Sequence, residues 1–366
     1  MTRHTPLEAV HTDLGATFTE FAGWRMPLRY TSEIAEHTAV RTAAGLFDLS
    51  HMGEIAVTGP EAGAALDHAL VNRPSAIRPG RARYSMICDP RGGIIDDLVV
   101  YRLTDERFLV VANAANVAEV AAELTARAGG FDADVTDESD AWALIALQGP
   151  AATGILGPLT TADLPGLRYY AITAAAVAGV EVLLARTGYT GEDGFELYAA
   201  PTDAPALWSA ISAAGAGHGL VPAGLACRDT LRLEAGMPLF GHELSRDTTP
   251  YEAGLGRVVD LAKPGGFVGG EALAAAQARG VDRTLVGLVA SGRRSPRAGQ
   301  DVIDPASGQA VGAVTSGAPS PTLGRPIALA YVPPRLADPG TAVRVDIRGR
   351  FTDAEIVALP FYSRPR

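Results

Sequence analysis

Ile94-Ile95-Asp96-Asp97-Leu98-Val99-Val100-Tyr101 sets two carboxylates inside an otherwise apolar run, directly after the turn sequence Asp89-Pro90-Arg91-Gly92-Gly93. The β-branched density and the Pro/Gly turn predict a strand from Ile94 to Arg102, hairpinned to the apolar run that ends at Cys88. Phe108 to Val111 extends the pattern into an antiparallel meander. Ala115 to Ala128 repeats apolar residues at helical spacing, and Ile55 to Thr58 reads as a short strand before the Gly59-Pro60 turn. Residues 53–130 therefore have the content of a compact α+β unit. Upstream, Ser32 to Ala44 reads as a capped helix closed by Gly45. Beyond Arg283 the texture changes to short Val/Ile/Leu runs parted by Ser291-Gly292, Asp304-Pro305, Ser316-Gly317, Pro333-Pro334 and Pro339-Gly340, which predicts an all-β domain with a boundary near Gly280.

Strands do not bury carboxylates without compensation. Side chains alternate across a strand, so Asp97 shares a face with Ile95, Val99 and Tyr101 while Asp96 points the other way. One aspartate is then free to stand on an apolar wall, where it can orient a bound ligand or exchange a proton with it. Sequence leaves open which one does so, and a bond from either to the amides of the Gly92-Gly93 turn is the structural alternative.

At 366 residues the chain exceeds one ordinary core and predicts two or three domains. A composition 47% hydrophobic and 20% charged is globular, and no apolar run is long enough to span a membrane. Residues 1–11 lack the basic start and apolar centre of a secretory signal, so the expected location is the cytoplasm. A formal charge of −10 argues against a nucleic-acid partner. Cys88 and Cys227 are far apart and in no CxxC or Cys/His spacing, so buried free thiols are expected rather than a disulfide or a zinc site. The seven histidines form no HExxH, and no metal site is expected. Lys263, the single lysine, lies in the loop-like Ala262-Lys263-Pro264-Gly265-Gly266, which removes a Walker loop and argues against Schiff-base chemistry.

Two glycine-punctuated blocks carry the remaining polar signals. Gly188-Tyr189-Thr190-Gly191-Glu192-Asp193-Gly194-Phe195-Glu196 and the stretch from Gly224 to Gly236 combine tight turns with aromatic, carboxylate and guanidinium groups. Such groups suit a planar, polar, partly anionic ligand. Each has a structural alternative: a solvated acidic turn for Glu192, Asp193 and Glu196, an i,i+3 pair of Asp229 with Arg232 beside Arg228, core aromatics for Tyr84 and Tyr189, and a core histidine for His51.

Taken in order, these segments resemble the T-protein of the glycine cleavage system, the tetrahydrofolate-dependent aminomethyltransferase family. The likeness spans nearly the whole chain. It runs through Phe21-Ala22-Gly23-Trp24 with Met26-Pro27, Leu46-Phe47-Asp48-Leu49-Ser50-His51-Met52-Gly53, Gly92 to Leu98, and Val111 to Asn116. It continues through both glycine blocks, Thr249-Pro250-Tyr251-Glu252-Ala253-Gly254-Leu255, and Thr315-Ser316-Gly317 with Ser320-Pro321-Thr322-Leu323-Gly324. Relatives usually carry a basic residue where this chain has Gly270, a departure that bears on a surface contact. A folate-tail contact by Arg364 rests on a loose match.

The resemblance implies an α+β, three-domain cloverleaf around a central folate channel, with a C-terminal β-barrel or jelly roll. The expected divisions are 1–52 with 138–227, 53–137 with 228–280, and 281–366. It implies transfer of an aminomethyl carbon from the lipoyl arm of the carrier H-protein to tetrahydrofolate, with no metal and no tightly bound prosthetic group. By position Asp97 matches the family's catalytic carboxylate, Glu196 the residue that bonds the pterin ring, and Arg228 a conformation-setting or folate-contacting arginine. Tyr84, Asn113, Tyr189 and Met52 match pocket-lining positions, and Tyr101 would line the same face as Asp97. Alternatives of the same fold are a folate-dependent demethylase and a non-catalytic folate-binding paralogue. Relatives of the iron-sulfur maintenance type carry a Lys-Gly-Cys-Tyr-x-Gly-Gln-Glu block, whereas Arg186 to Glu192 contains no cysteine.

Overall fold

The computed structural model describes residues 2–365. The meander is present as Arg81–Cys88, Ile94–Arg102 and Arg107–Ala112, and it is completed by Gly53–Thr58 and Asp134–Asp137 into a five-stranded sheet in the order just given. The carboxylate that serves the hairpin turn is Asp89, whose Oδ1 accepts from the amides of Arg91 at 2.8 Å and Gly93 at 3.1 Å. Asp96 and Asp97 are thereby relieved of the turn.

The helices Ala62–Ala69 and Val117–Ala128 cover one face of this sheet. Gly53 shows the closeness of that packing, since a Cβ there would fall 2.3 Å from a Val117 methyl. Register then sorts the side chains. Ile55, Val110 and Val100 form one cross-strand row on the helix side, while Glu54, Val111 and Val99 form the adjacent row on the other side, followed there by Ala56, Leu109 and Tyr101. Asp97 shares the second face with Val99 and Tyr101. Asp96 faces the opposite way and is fully buried.

A six-stranded sheet follows the order Ile172–Val177, Val180–Ala185, Gly194–Ala199, Ala143–Gln148, Ala44–Asp48, Leu220–Pro222. Phe195 and Leu197 turn into its core with Leu46, Ile145, Leu147, Trp208 and Ile211. Alternation therefore sends Glu196 and Tyr198 to the opposite face. One expectation is corrected here. The Ser32-capped helix ends at Thr42, and Gly45 is a strand residue whose missing Cβ makes room for Val40, 2.5 Å from where it would stand. The alanine-rich stretch after Ala171 forms the edge strand, paired with Val180–Ala185 despite the helical preference of alanine.

The chain divides into two compact units, residues 1–85 with 97–228 and residues 86–96 with 229–366. Asp97, Glu196 and Arg228 all belong to the first. The second holds a closed six-stranded barrel in the order Thr284–Ala290, Arg325–Val332, Ala310–Ser320, Asp301–Ile303, Ala342–Asp346, Phe351–Val357. Its interior is filled by Leu288, Val302, Ala330, Val332, Val345 and Ile356, and closure leaves no open sheet edge. An α+β architecture with a C-terminal all-β barrel is as expected. Both cysteines are buried free thiols. Among the described residues, no helix is long and apolar enough to cross a membrane.

Candidate active site

Asp97 is partly accessible on its strand, and both of its carboxylate oxygens are held. The Tyr84 phenol donates to Oδ2 at 3.0 Å, and the Asn113 amide donates to Oδ1 at 2.9 Å and to the Asp97 carbonyl at 3.2 Å. Burial, then the charge of Asp97, push the Tyr84 phenol well above its usual range, so it remains a donor. The Tyr84 and Asn113 donors together orient the carboxylate.

Glu196 stands in a different setting. The Thr187 hydroxyl donates a short hydrogen bond to its Oε2, and the Tyr101 phenol donates to the same atom at 3.3 Å. Tyr198 in turn donates to the Tyr101 oxygen at 3.4 Å. Burial raises the Glu196 carboxyl above its ordinary range, against the opposing pull of Thr187, Arg228 and Tyr101. Arg228 stacks over the Tyr189 ring at 4.7 Å. Burial draws its guanidinium down, while Tyr189 and Glu196 support its charge. Tyr101 therefore links the two carboxylates: it shares the face of Asp97 and reaches Glu196.

The glycine block around Glu196 has a packing reason. A Cβ at Gly188 would fall 2.0 Å from Gln148 Oε1, and one at Gly194 2.5 Å from Gln148 Nε2. Gln148 uses the space to donate to the Thr187 carbonyl at 3.0 Å and to accept from Thr190 at 2.9 Å, which fixes the loop that carries Thr187. Glu192 and Asp193 are not a solvated turn. They pair with Arg41 at 2.9 Å and Arg186 at 2.6 Å, respectively.

Of the residues singled out from sequence, Asp97, Tyr84 and Asn113 form one bonded group, Glu196 and Tyr101 a second, and Arg228 and Tyr189 a stacked pair beside the second. Met52 is partly accessible at the entry to the Gly53–Thr58 strand, its amide donating to the Leu49 carbonyl at 2.9 Å. Three further residues were not picked out by sequence reasoning. Thr187 lay inside a quoted block, but its bond to Glu196 has no sequence signature. Tyr170 holds a left-handed φ of 62°, and its phenol is raised by burial, with added pushes from Glu196 and Asp97. Glu54 fell just outside a strand expected to start at Ile55. His51 is a buried histidine with an unpartnered Nδ1, its ring set edge-on against Phe21 at 5.5 Å. Among the described residues, no group of three or more His, Cys, Asp or Glu side chains is arranged to hold a metal ion.

Two carboxylates held by different donors, Asp97 and Glu196, thus belong to one compact unit, and the closed barrel belongs to the other. Residues 7–263 match the family described as the GCVT N-terminal domain, and residues 283–363 the glycine cleavage T-protein C-terminal barrel domain. The chain is 63% identical to an aminomethyltransferase of Saccharopolyspora erythraea over 362 residues, covering 99% of this chain and 98% of that one. It is 63% identical to an aminomethyltransferase of Streptomyces avermitilis over 368 residues, covering 100% of this chain and 98% of that one. The crystal structure of glycine cleavage system aminomethyltransferase T from Bartonella henselae superposes with a TM-score of 0.92 at 38% identity, covering 99% of this chain and 98% of that one. The chain belongs to the glycine cleavage T-protein family, and its activity is that of an aminomethyltransferase.

Proposed function

We infer that this aminomethyltransferase works in the cytoplasm, taking the aminomethyl carbon from the lipoyl arm of an H-protein carrier and passing it to tetrahydrofolate. In that reaction the carbon exchanges its bonds to sulfur and to the departing nitrogen for bonds to two folate nitrogens. The two protons those nitrogens lose go to the dihydrolipoyl sulfur and to ammonia, and the folate product is 5,10-methylenetetrahydrofolate. The carbon is cationic as it changes partners, and a fixed carboxylate lowers the cost of that charge while orienting the attacking amine. Asp97 takes this role. Glu196 accepts the N–H-rich edge of the pterin as a paired acceptor, and Arg228 keeps negative charge on it. Tyr84, Asn113, Tyr189, Met52 and Tyr101 line the pocket. No step requires a metal or a resident prosthetic group.

The observation that carries this reading is the contrast between the two carboxylates. Asp97 is held by a phenol and an amide, and Glu196 by a hydroxyl and a phenol with an arginine beside it. The test compares wild type, Asp97→Asn and Asp96→Asn in the formation of methylenetetrahydrofolate from tetrahydrofolate and aminomethylated lipoyl carrier. Turnover lost in Asp97→Asn alone is the expected result. Folate binding without wild-type turnover would move the chain to a demethylase or a non-catalytic binder.

A further inference from the structure

Glu54 is the carboxyl group of this region that the reaction above leaves without a task. It lies in the same cross-strand row as Val111 and Val99, so it stands on the Asp97 face of the five-stranded sheet. Two strand spacings put its Cα roughly 10 Å from that of Val99. Along this face Asp97, Val99 and Asn113 are partly accessible, whereas Ile55, Leu98 and Val100 behind them are buried. Glu54 lies on the same face at its buried end, among Ala56, Leu109, Tyr101 and Val111. Glu54 itself is 1% exposed, and its Oε1 has no hydrogen-bond partner. Strand pairing does not account for it, because its amide already donates to the Ser139 hydroxyl at 3.0 Å and its carbonyl accepts from the Glu138 amide at 2.8 Å. A leucine there would give the same strand without an unsatisfied buried oxygen.

We propose that Glu54 is a further ligand contact of this pocket, its carboxyl group held back for a hydrogen bond to the bound pteridine. This rests on the folate reading above. The ionisable groups that bear on Glu54 are Asp137 from the neighbouring strand, with Glu196 and Tyr198 from the six-stranded sheet. Burial, then Asp137 and Glu196, push its carboxyl well above the ordinary range, which favours the protonated form, a hydrogen-bond donor. Glu196 has Thr187, Tyr101 and Arg228 to support negative charge, and acts as an acceptor. A fused heterocycle with an N–H edge and a ring carbonyl satisfies a carboxyl donor and a carboxylate acceptor together. Ionisation of Glu54 removes the donor, so affinity falls as pH rises.

The experiment measures tetrahydrofolate binding by the full chain as wild type, Glu54→Leu and Glu54→Gln, from about pH 6 to about pH 9, with thermal melting of each unliganded protein. Glu54→Leu is expected to melt no lower than wild type yet bind about 10-fold more weakly, a loss a purely structural residue would not produce. Glu54→Gln keeps affinity within about threefold and flattens the pH dependence. Wild type that fails to bind removes the folate reading itself, and the Glu54 contact with it. Wild type that binds no more tightly than a folded Glu54→Leu overturns the Glu54 contact alone. Should Glu54→Leu fail to fold, parallel pH profiles for wild type and Glu54→Gln overturn it, and a profile flat only in Glu54→Gln supports it.

Discussion

Each unit of this molecule buries charge, and does so differently. In the barrel-bearing unit, Arg232 is 1% exposed and its guanidinium is well partnered: Nε donates to Asp229 at 2.8 Å, one terminal nitrogen to Glu243 at 2.9 Å and the Met237 carbonyl at 3.2 Å, the other to Ser316 at 2.8 Å. In the first unit, phenol, amide and hydroxyl donors hold Asp97 and Glu196, and burial pushes Glu196 and Glu54 upward. A buried charge whose bonding capacity is taken up within the protein serves the fold. A spare oxygen alone is not the mark of a ligand site, since Glu243 Oε1 also lacks a partner; what differs is that Glu243 is paired with Arg232, whereas the charges bearing on Glu54 are Asp137 and Glu196. The rank of burial alone would have chosen Arg232 as the functional residue.

The largest effect that would sharpen this contrast is the loss of Arg232. Arg232→Met leaves Glu243 buried without its counter-charge, and denaturant titration should show about 3–5 kcal/mol less stability. The fraction that remains folded should keep its kcat. Asp97→Asn should do the reverse: kcat falls by roughly 10²- to 10³-fold while the melting temperature barely moves. A variant of Asp97 that unfolds would place it with Arg232, and the contrast would break. Glu196→Gln comes next. It turns a charged acceptor for the folate N–H edge into a neutral one and should raise the folate KM by about 10-fold, with a smaller change in kcat. An unchanged KM would remove Glu196 from the pterin edge.

Much of this was legible in the chain because the signals were local. The turn from Asp89 to Gly93, the β-branched run behind it and the Pro/Gly-parted runs after Arg283 write their own structure. Alternation along Ile94–Arg102 correctly set Asp96 and Asp97 on opposite faces, although sequence alone did not say that Asp96 is the buried one. What was hidden depends on partners far along the chain. Tyr101 reaches Glu196 across 95 positions, and Thr187 completes that group from 86 positions away from Tyr101. Gly45 looked like a helix terminator, yet its role is to let Val40 approach a strand, a close approach visible only when both elements are packed. Glu54 escaped because a strand boundary was set two residues too late, at Ile55 rather than Gly53, and an acid at a strand end attracts no notice until its face is known.

The smallest effect tests the comparison at the residue closest to both classes. His51 is buried, its Nδ1 has no partner, and burial together with the nearby charge of Arg228 lowers its pKa from 6.5 to about 4. The folded chain therefore holds His51 neutral in a range where the unfolded chain protonates it. Between those two values the unfolded state binds more protons, so stability is fully present above the unfolded value and is lost as pH falls toward the folded one. Lowering pH from about 7.5 to about 5.5 should cost wild type on the order of 1 kcal/mol through this residue. Glu54 acts with the opposite sign, its raised carboxyl favouring the folded state at lower pH, but it does so equally in wild type and in His51→Phe. The phenyl ring keeps the edge contact with Phe21 and cannot titrate, so the difference between the two pH dependences isolates the histidine. Equal slopes would mean that His51 finds a proton acceptor in the folded chain and belongs with Arg232. A shallower slope in His51→Phe would leave it as a neutral ring beside Arg228, sparing that guanidinium a second positive charge.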